Sequence, residues 1–276
     1  MRATLEDLGK RPLIMGVLNV TPDSFSDGSR YFDPGRAIDH AFFMVESGAD
    51  IIDIGGESSR PGAESIPAAE EIERVIPIIK KVWKKIKIPI SIDTVKSEVA
   101  ERAFDAGASI LNDISALRMN ENMAGLAARN DVYVILMHMR GTPNDMQKNT
   151  EYDDIIAEIS EFLNESASKA MEQGIKKEKI IIDPGIGFGK SVNGNFTILK
   201  NLDKFCRLGY PVLVGASRKS FIGKTLAVEP DQRLEGSIAA ACYAVLNGAD
   251  IIRVHDVVES RRAIAIIEKI STAESA

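Results

Sequence analysis

Asn19, Asp93, Asn112, Asp183, Lys219, Arg253 and His255 each stand at or just beyond the end of a short apolar run. Asp53 with Glu57, Asp113, His138 and the triplet Ser217-Arg218-Lys219 occupy the same kind of place. Carboxylates accept hydrogen bonds, ammonium and guanidinium groups donate them, and a side-chain amide does both. A polar group in an apolar mouth costs free energy unless something pairs with it. So many together point to a polar ligand. Arg253 and His255 are two positions apart, and in a strand such residues face the same side. Two groups able to carry positive charge on one side call for an anion.

Plainer readings stand beside these. Asp93 is followed by Thr94 and a helical stretch, where a lone Asp most often caps the helix. Asp53 and Asp113 read equally well as interior hydrogen bonders, and His138 as a packed histidine. Two polar segments, 19–28 and 55–62, carry Pro and Gly and suit mobile lids over a site. Asp183-Pro-Gly-Ile-Gly-Phe-Gly-Lys (183–190) is glycine-rich without the spacing of a P-loop, and its glycines let backbone approach a flat ring.

The elements that must position these groups follow from alternation. Candidate strands are 13–20, 51–55, 89–94, 110–114, 132–138, 180–184, 211–216 and 251–255, mostly apolar on both faces, as in a parallel sheet covered by helices. Helical periods lie between them at 35–47, 68–86, 96–106, 121–129, 153–173, 195–205, 234–246 and 257–270. Ile72, Val75, Ile76, Ile79 and Val82 form the buried stripe of the second, and Gly48, Gly107, Gly174 and Gly248 follow four of the helices as terminators. Eight strand-then-helix units in 276 residues have the rhythm of a single-domain (β/α)8 barrel spanning 1–276, an α/β fold whose site lies at the C-terminal ends of its strands. A doubly wound sheet fits less well, for no GxGxxG follows the first strand. The stretches 46–53 and 246–253 are alike, a sign of repeated βα units.

The bulk composition narrows the class. With a net charge of −6 and no basic tail, a nucleic-acid partner is not expected. Cys206 and Cys242 form no CxxC pair and read as reduced thiols. Residues 1–11 carry no apolar core of a leader, and no apolar run is long enough for a membrane span, so a cytoplasmic location is expected.

At these residues a family resemblance becomes specific. The segments 15–28 and 48–62, Ser91-Ile-Asp-Thr, Asn112-Asp, 183–190, Gly215-Ala-Ser-Arg-Lys-Ser-Phe and Arg253-Val-His-Asp resemble, in order, the signatures of dihydropteroate synthases, a pterin-binding family. Ser59 stands where threonine is commoner, with the hydroxyl kept. The resemblance implies a transferase of folate biosynthesis. It would condense 6-hydroxymethyl-7,8-dihydropterin diphosphate with p-aminobenzoate, releasing diphosphate through a pterin-cation mechanism. It implies that Asp93, Asn112, Met137, Asp183 and Lys219 hold the pterin. Asn19, Ser59, Arg60, Arg253 and His255 would hold the diphosphate, with Mg2+ at Asn19. Phe25, Arg60, Pro61, Phe188 and Ser220 would hold p-aminobenzoate. Asp93, Lys219, Arg253 and His255 would be the catalytic groups, and a homodimer is implied. The rivals are a methyltetrahydrofolate-dependent corrinoid methyltransferase and a silent pterin-binding subunit. Neither needs both the Arg253–His255 pair and Ser217-Arg218-Lys219.

Overall fold

Runs that are apolar on both faces can be satisfied only inside a sheet covered on one side and filled on the other. The computed structural model, which describes residues 5–21, 34–60 and 62–273, shows such a sheet. The elements in chain order are β1 Leu13–Asn19, α1 Pro34–Glu46, β2 Ile51–Gly55, α2 Ala68–Trp83, β3 Ile90–Asp93, α3 Ser97–Ala106, β4 Ile110–Asp113 and α4 Met123–Asn130. Then come β5 Tyr133–Met137, α5 Ile155–Glu172, β6 Ile180–Asp183, α6 Val192–Lys200, α7 Leu202–Cys206, β7 Leu213–Val214, α8 Ser220–Leu226, α9 Leu234–Leu246, β8 Ile251–Val254 and α10 Val257–Ser271. The strands are parallel neighbours in the order β6-β5-β4-β3-β2-β1-β8-β7. A parallel bridge between Ile182 and Val212 brings the two outer strands together, and the sheet is the expected (β/α)8 barrel.

Strand period then decides what lines the mouth. Leu13, Met15, Ile51, Ile110, Ile135, Ile181, Leu213 and Ile251 form an apolar plug inside the barrel, with Leu5 packed on it and Leu8 against its edge. Ile14, Ile52, Ile92, Leu111, Val134, Leu136, Ile182 and Ile252 join the separate cluster that packs under the helices. Side chains two residues apart share a face. One step beyond the plug, the inner face therefore carries Asp53, Asn112, Met137, Asp183 and Arg253.

Several local rules hold as the sequence suggests. The Asp154 carboxylate caps α5 by accepting from the amides of Ile156 at 3.1 Å and Ala157 at 3.0 Å. Gly107 ends α3 with φ 119°, and a Cβ there would lie 2.4 Å from the Trp83 ring, so only glycine fits. The likeness of 46–53 to 246–253 has a shared role. The Asp50 carboxylate accepts from the Ile14 amide at 2.8 Å, and that of Asp250 from the Val212 amide at 2.8 Å, each pinning the start of a neighbouring strand.

Three expectations change. The helix expected over 195–205 is two: α6 starts earlier, because the Ser191 hydroxyl accepts from the Gly194 amide at 3.0 Å, and the chain breaks at Asn201, whose backbone leaves the helical region. The strand expected over 211–216 pairs as a strand only at Leu213 and Val214. On α2 the buried stripe includes Glu71 and Ile78, while Ile72 is only half-buried.

Candidate active site

Arg253 organises the mouth of the barrel. Its Nε donates to Oδ2 of Asp53 at 2.7 Å and its Nη2 to Oδ2 of Asp93 at 2.8 Å. The Nδ2 of Asn112 donates to the same Asp53 oxygen at 3.1 Å. Asn19, Gly55, Asp93 and Asn112 are successive register partners across β1 to β4, which sets Asp93 and Asn112 side by side. Burial pushes the Asp93 carboxyl above its usual range, Arg253 opposes that, and Asp53 and Glu71 add to it. Its place before α3 does not make it a cap. Lys96 stands at the helix start and the carboxylate faces Arg253.

Across the mouth, Met137 and Asp183 are register partners on β5 and β6. One Asp183 oxygen accepts from the Gly185 amide at 2.7 Å, which turns the glycine-rich segment back over the barrel. Gly185 has φ 71°, and a Cβ there would lie 2.0 Å from the His138 carbonyl oxygen. That close approach is to the protein's own chain. Lys219 donates to the carbonyl of Ile186, and its Nζ lies 4.4 Å from the centre of the Phe188 ring. Burial lowers the Lys219 ammonium to about 8, while Asp183 resists the loss of its proton. Burial likewise raises Asp183, against the pull of Lys219. Met137, Met139 and Met146 form a buried apolar patch with Ile114 and Phe188 packed against it, a soft surface for the face of a flat ring.

His255, just beyond β8, takes its partner from the loop after β7. Its ring Nδ1 lies 3.1 Å from the Ser217 hydroxyl. Burial and the nearby Arg253 push the imidazole down to about 4, so it is neutral at neutral pH. This narrows the reading of Arg253 and His255 as two groups able to carry positive charge. The guanidinium is already flanked by two carboxylates, and His255 offers a hydrogen bond rather than a charge. Arg218 leaves the site to pair with Asp256. Ser220 is the exposed first residue of α8, whose two turns offer an anion backbone N–H groups more than a large dipole. Ser59 is half-buried and Arg60 exposed on the segment after β2, and the Arg60 charge adds slightly to the lowering of His255. Phe25 and Pro61 lie outside the described residues.

Some groups that shape the site were not singled out in the sequence. Lys190 is buried, with its Nζ 2.8 Å from the Phe188 carbonyl, 3.2 Å from the His138 carbonyl and 2.9 Å from the His138 Nδ1. His138 is packed as expected, edge-on to Phe162 with ring centres 4.8 Å apart. Lys96 bridges Glu57 and the buried Glu71, while Glu57 also accepts from the Ile66 amide at 3.2 Å and so holds the segment after β2. The signal for Glu71 was available: it stands four residues before Val75 and seven before Ile78, on the helix's inner face.

Among the described residues no cluster of three or more His, Cys, Asp or Glu could hold a metal. A cation here would take most of its oxygen donors from a ligand's phosphates and water. Asn19 at the end of β1 supplies a neutral side-chain oxygen, and that donor set fits Mg2+, which keeps much of its hydration. No helix among the described residues is long and apolar enough to cross a membrane.

Known proteins are similar to the chain over most of its length. Residues 15–255 match the family model described as pterin binding enzyme. A dihydropteroate synthase of Synechocystis sp. is 50% identical over 92% of this chain and 88% of its own. A structure of Xanthomonas albilineans dihydropteroate synthase with 4-aminobenzoic acid superposes with a TM-score of 0.91 at 44% identity, covering 96% of this chain and 94% of that one. The same organism's enzyme in complex with 7,8-dihydropteroate superposes with a TM-score of 0.87 at 41% identity, covering 96% and 95%.

Proposed function

The chain belongs to the pterin-binding enzyme family and has the activity of a dihydropteroate synthase, and from that premise we propose how its own residues carry the reaction. The observation that carries the proposal is the mouth itself. Asp93, Asn112 and Asp183 line one continuous inner rim, with Lys219 over it and Arg253 at its side.

The pterin lies in the mouth with its amino and ring N–H groups donating to Asp93, Asn112 and Asp183. Lys219 donates to an acceptor on the same edge, and Met137 packs on a ring face. Arg253, His255 and Asn19 hold the diphosphate, with Ser59 and Arg60 closing from the segment after β2. Arginine suits the diphosphate because its planar fork matches phosphate oxygens two at a time. Asn19 would hold Mg2+, which would supply positive charge against the leaving group. Phe25, Pro61 and Phe188 enclose the p-aminobenzoate ring, and Ser220 takes its carboxylate.

The bond from the pterin methylene carbon to the diphosphate oxygen breaks first, its electron pair leaving with the oxygen. Asp93 stabilises the resulting cation. The arylamine nitrogen then forms the new C–N bond and loses its proton to diphosphate or water. Placing donors where charge develops is the main source of rate. The arylamine attacks with its own lone pair, so the reaction requires no strong base.

We propose further that two chains associate through an apolar groove between α6, α8 and α9. Phe196, Leu226 and Tyr243 on its walls are each two-fifths or more exposed, an unusual apolar patch for a lone chain. A cytoplasmic site of action accords with free Cys206 and Cys242.

Turnover of the pterin diphosphate with and without p-aminobenzoate tests the function. Diphosphate release dependent on p-aminobenzoate is expected, with Lys219→Ala folded and inactive, and Arg253→Ala inactive and less stable because the buried Asp53 loses its partner. A folded wild type without that release would overturn the proposal.

A further inference from the structure

We propose that Asp53 is the positioning residue of this site: it is the permanent partner of Arg253, it turns the Asn112 amide oxygen toward the ligand, and Asp93 is the partner that Arg253 exchanges. The inference rests on the reading of the pocket as a pterin diphosphate site.

Arg253 divides itself between two carboxylates that differ in access to water. The Asp53 side chain is 0% exposed and that of Asp93 15%. A wholly buried carboxylate that loses its partner has no water to replace it, and the cost is large. A carboxylate at the rim does. The Nε contact to Asp53 at 2.7 Å is therefore the fixed one, and the Nη2 contact to Asp93 at 2.8 Å is the one a phosphate oxygen displaces. Arrival of the diphosphate on Arg253 thus frees Asp93 for the pterin ring. One ligand engages both halves of the site at once.

Asn112 is set by the same atom. An ionised carboxylate only accepts, so the group 3.1 Å from Asp53 must be the amide N–H2 and not the amide oxygen. With Nδ2 committed to Asp53, the Asn112 oxygen is left to meet the ligand. The pocket at this position accepts a ring N–H and rejects a ring nitrogen that has none, because the buried oxygen would lose its partner.

Asp53→Asn keeps the shape and removes the charge. We would measure, by calorimetry on folded wild type and variant, the binding of two probes: inorganic diphosphate and 6-hydroxymethyl-7,8-dihydropterin, which lacks the diphosphate. Both affinities are expected to fall by about tenfold or more, since each loses a charge-positioned hydrogen bond. The KM for p-aminobenzoate should stay within about twofold, as RT ln 2 is small beside one such bond. A merely structural Asp53 would lower the melting temperature and leave both affinities intact, and that result would overturn the inference. Should the variant not fold, the wild type decides. The Arg253 Nε–H resonance is expected to remain in slow exchange as inorganic diphosphate is added, and its passage into fast exchange would equally overturn it. A wild type that binds both probes without p-aminobenzoate-dependent turnover would remove the proposed reaction and leave Asp53 to be judged on the affinity ratios.

Discussion

The Nζ of Lys190 lies 2.9 Å from the Nδ1 of His138, and the same atom reaches the carbonyls of His138 and Phe188. Burial pushes the Lys190 ammonium well below its ordinary range, with Asp183 opposing, and the three acceptors meet the three N–H donors of its charged form. The contact also requires an unprotonated Nδ1, and burial with three nearby cations holds the imidazole far below its ordinary range. Lys190 thus ties the end of β5 to the segment carrying Phe188. Lys190→Met leaves three acceptors without a donor and should cost about 2 kcal/mol of stability, read by urea unfolding. The KM for p-aminobenzoate should rise more than that for the pterin diphosphate, because Phe188 is displaced. Equal changes in both constants would show that Lys190 does not act through Phe188.

Three perturbed groups that touch the proposed pterin, Lys219, Asp93 and Asp183, define a pH window. Lys219 is lowered to about 8, so its ammonium is lost as pH rises through that value. Asp93 and Asp183 are raised above the usual carboxylate range by burial, so their negative charge is lost sooner as pH falls. The profile of kcat/KM for the pterin diphosphate reports groups of the free enzyme. It should be a bell whose basic limb falls near pH 8 and whose acid limb lies above the usual carboxylate range. Lys219→Arg should push the basic limb out of range, since guanidinium keeps its proton. A basic limb unchanged in that variant would assign it to another group.

The barrel and its polar rim were legible because strand period is rigid. Ile51 and Asp53, Ile110 and Asn112, Ile135 and Met137, and Ile251 and Arg253 each share a face with the apolar member below, so an apolar run with a polar end already places its last residue in the mouth. What each rim group pairs with was not legible. Asp53 and Arg253 are 200 positions apart, and only barrel closure makes them neighbours. Arg253 looked uncompensated because its counter-charges come from β2 and β3. The break at Asn201 depends on local backbone geometry that an apolar period does not register. Glu71 was passed over because a charge on an inner face is read as noise until its partner, Lys96, is seen.

Asn19 bears on the proposed metal. It would supply one neutral oxygen, and among the described residues no acidic cluster backs it up. Chelation of Mg2+ should therefore abolish turnover and weaken the binding of inorganic diphosphate. The binding of 6-hydroxymethyl-7,8-dihydropterin, which presents no phosphate, should not change. Asn19→Leu should raise the Mg2+ concentration needed for half-maximal rate by about tenfold, the worth of one ligand contact near 1.4 kcal/mol. A Mg2+ response identical to that of the wild type would remove Asn19 from the metal's ligands.

Tyr243 tests the groove between α6, α8 and α9. It is 45% exposed on α9, beside Leu226 at 51% and Phe196 at 42%. A lone chain gains nothing by presenting these to water, whereas burying them against a second copy returns about 25 cal/mol for each Å2 of apolar area. Sedimentation of the wild type at micromolar concentration should show a dimer. Tyr243→Glu places a charge in that apolar contact, where it would have no partner, and should shift the population to monomer. The active mouth is built from strand ends of one chain, so the monomeric variant should keep most of its kcat. A wild type that sediments as a monomer, or a Tyr243→Glu variant that remains dimeric, would place any association on another face.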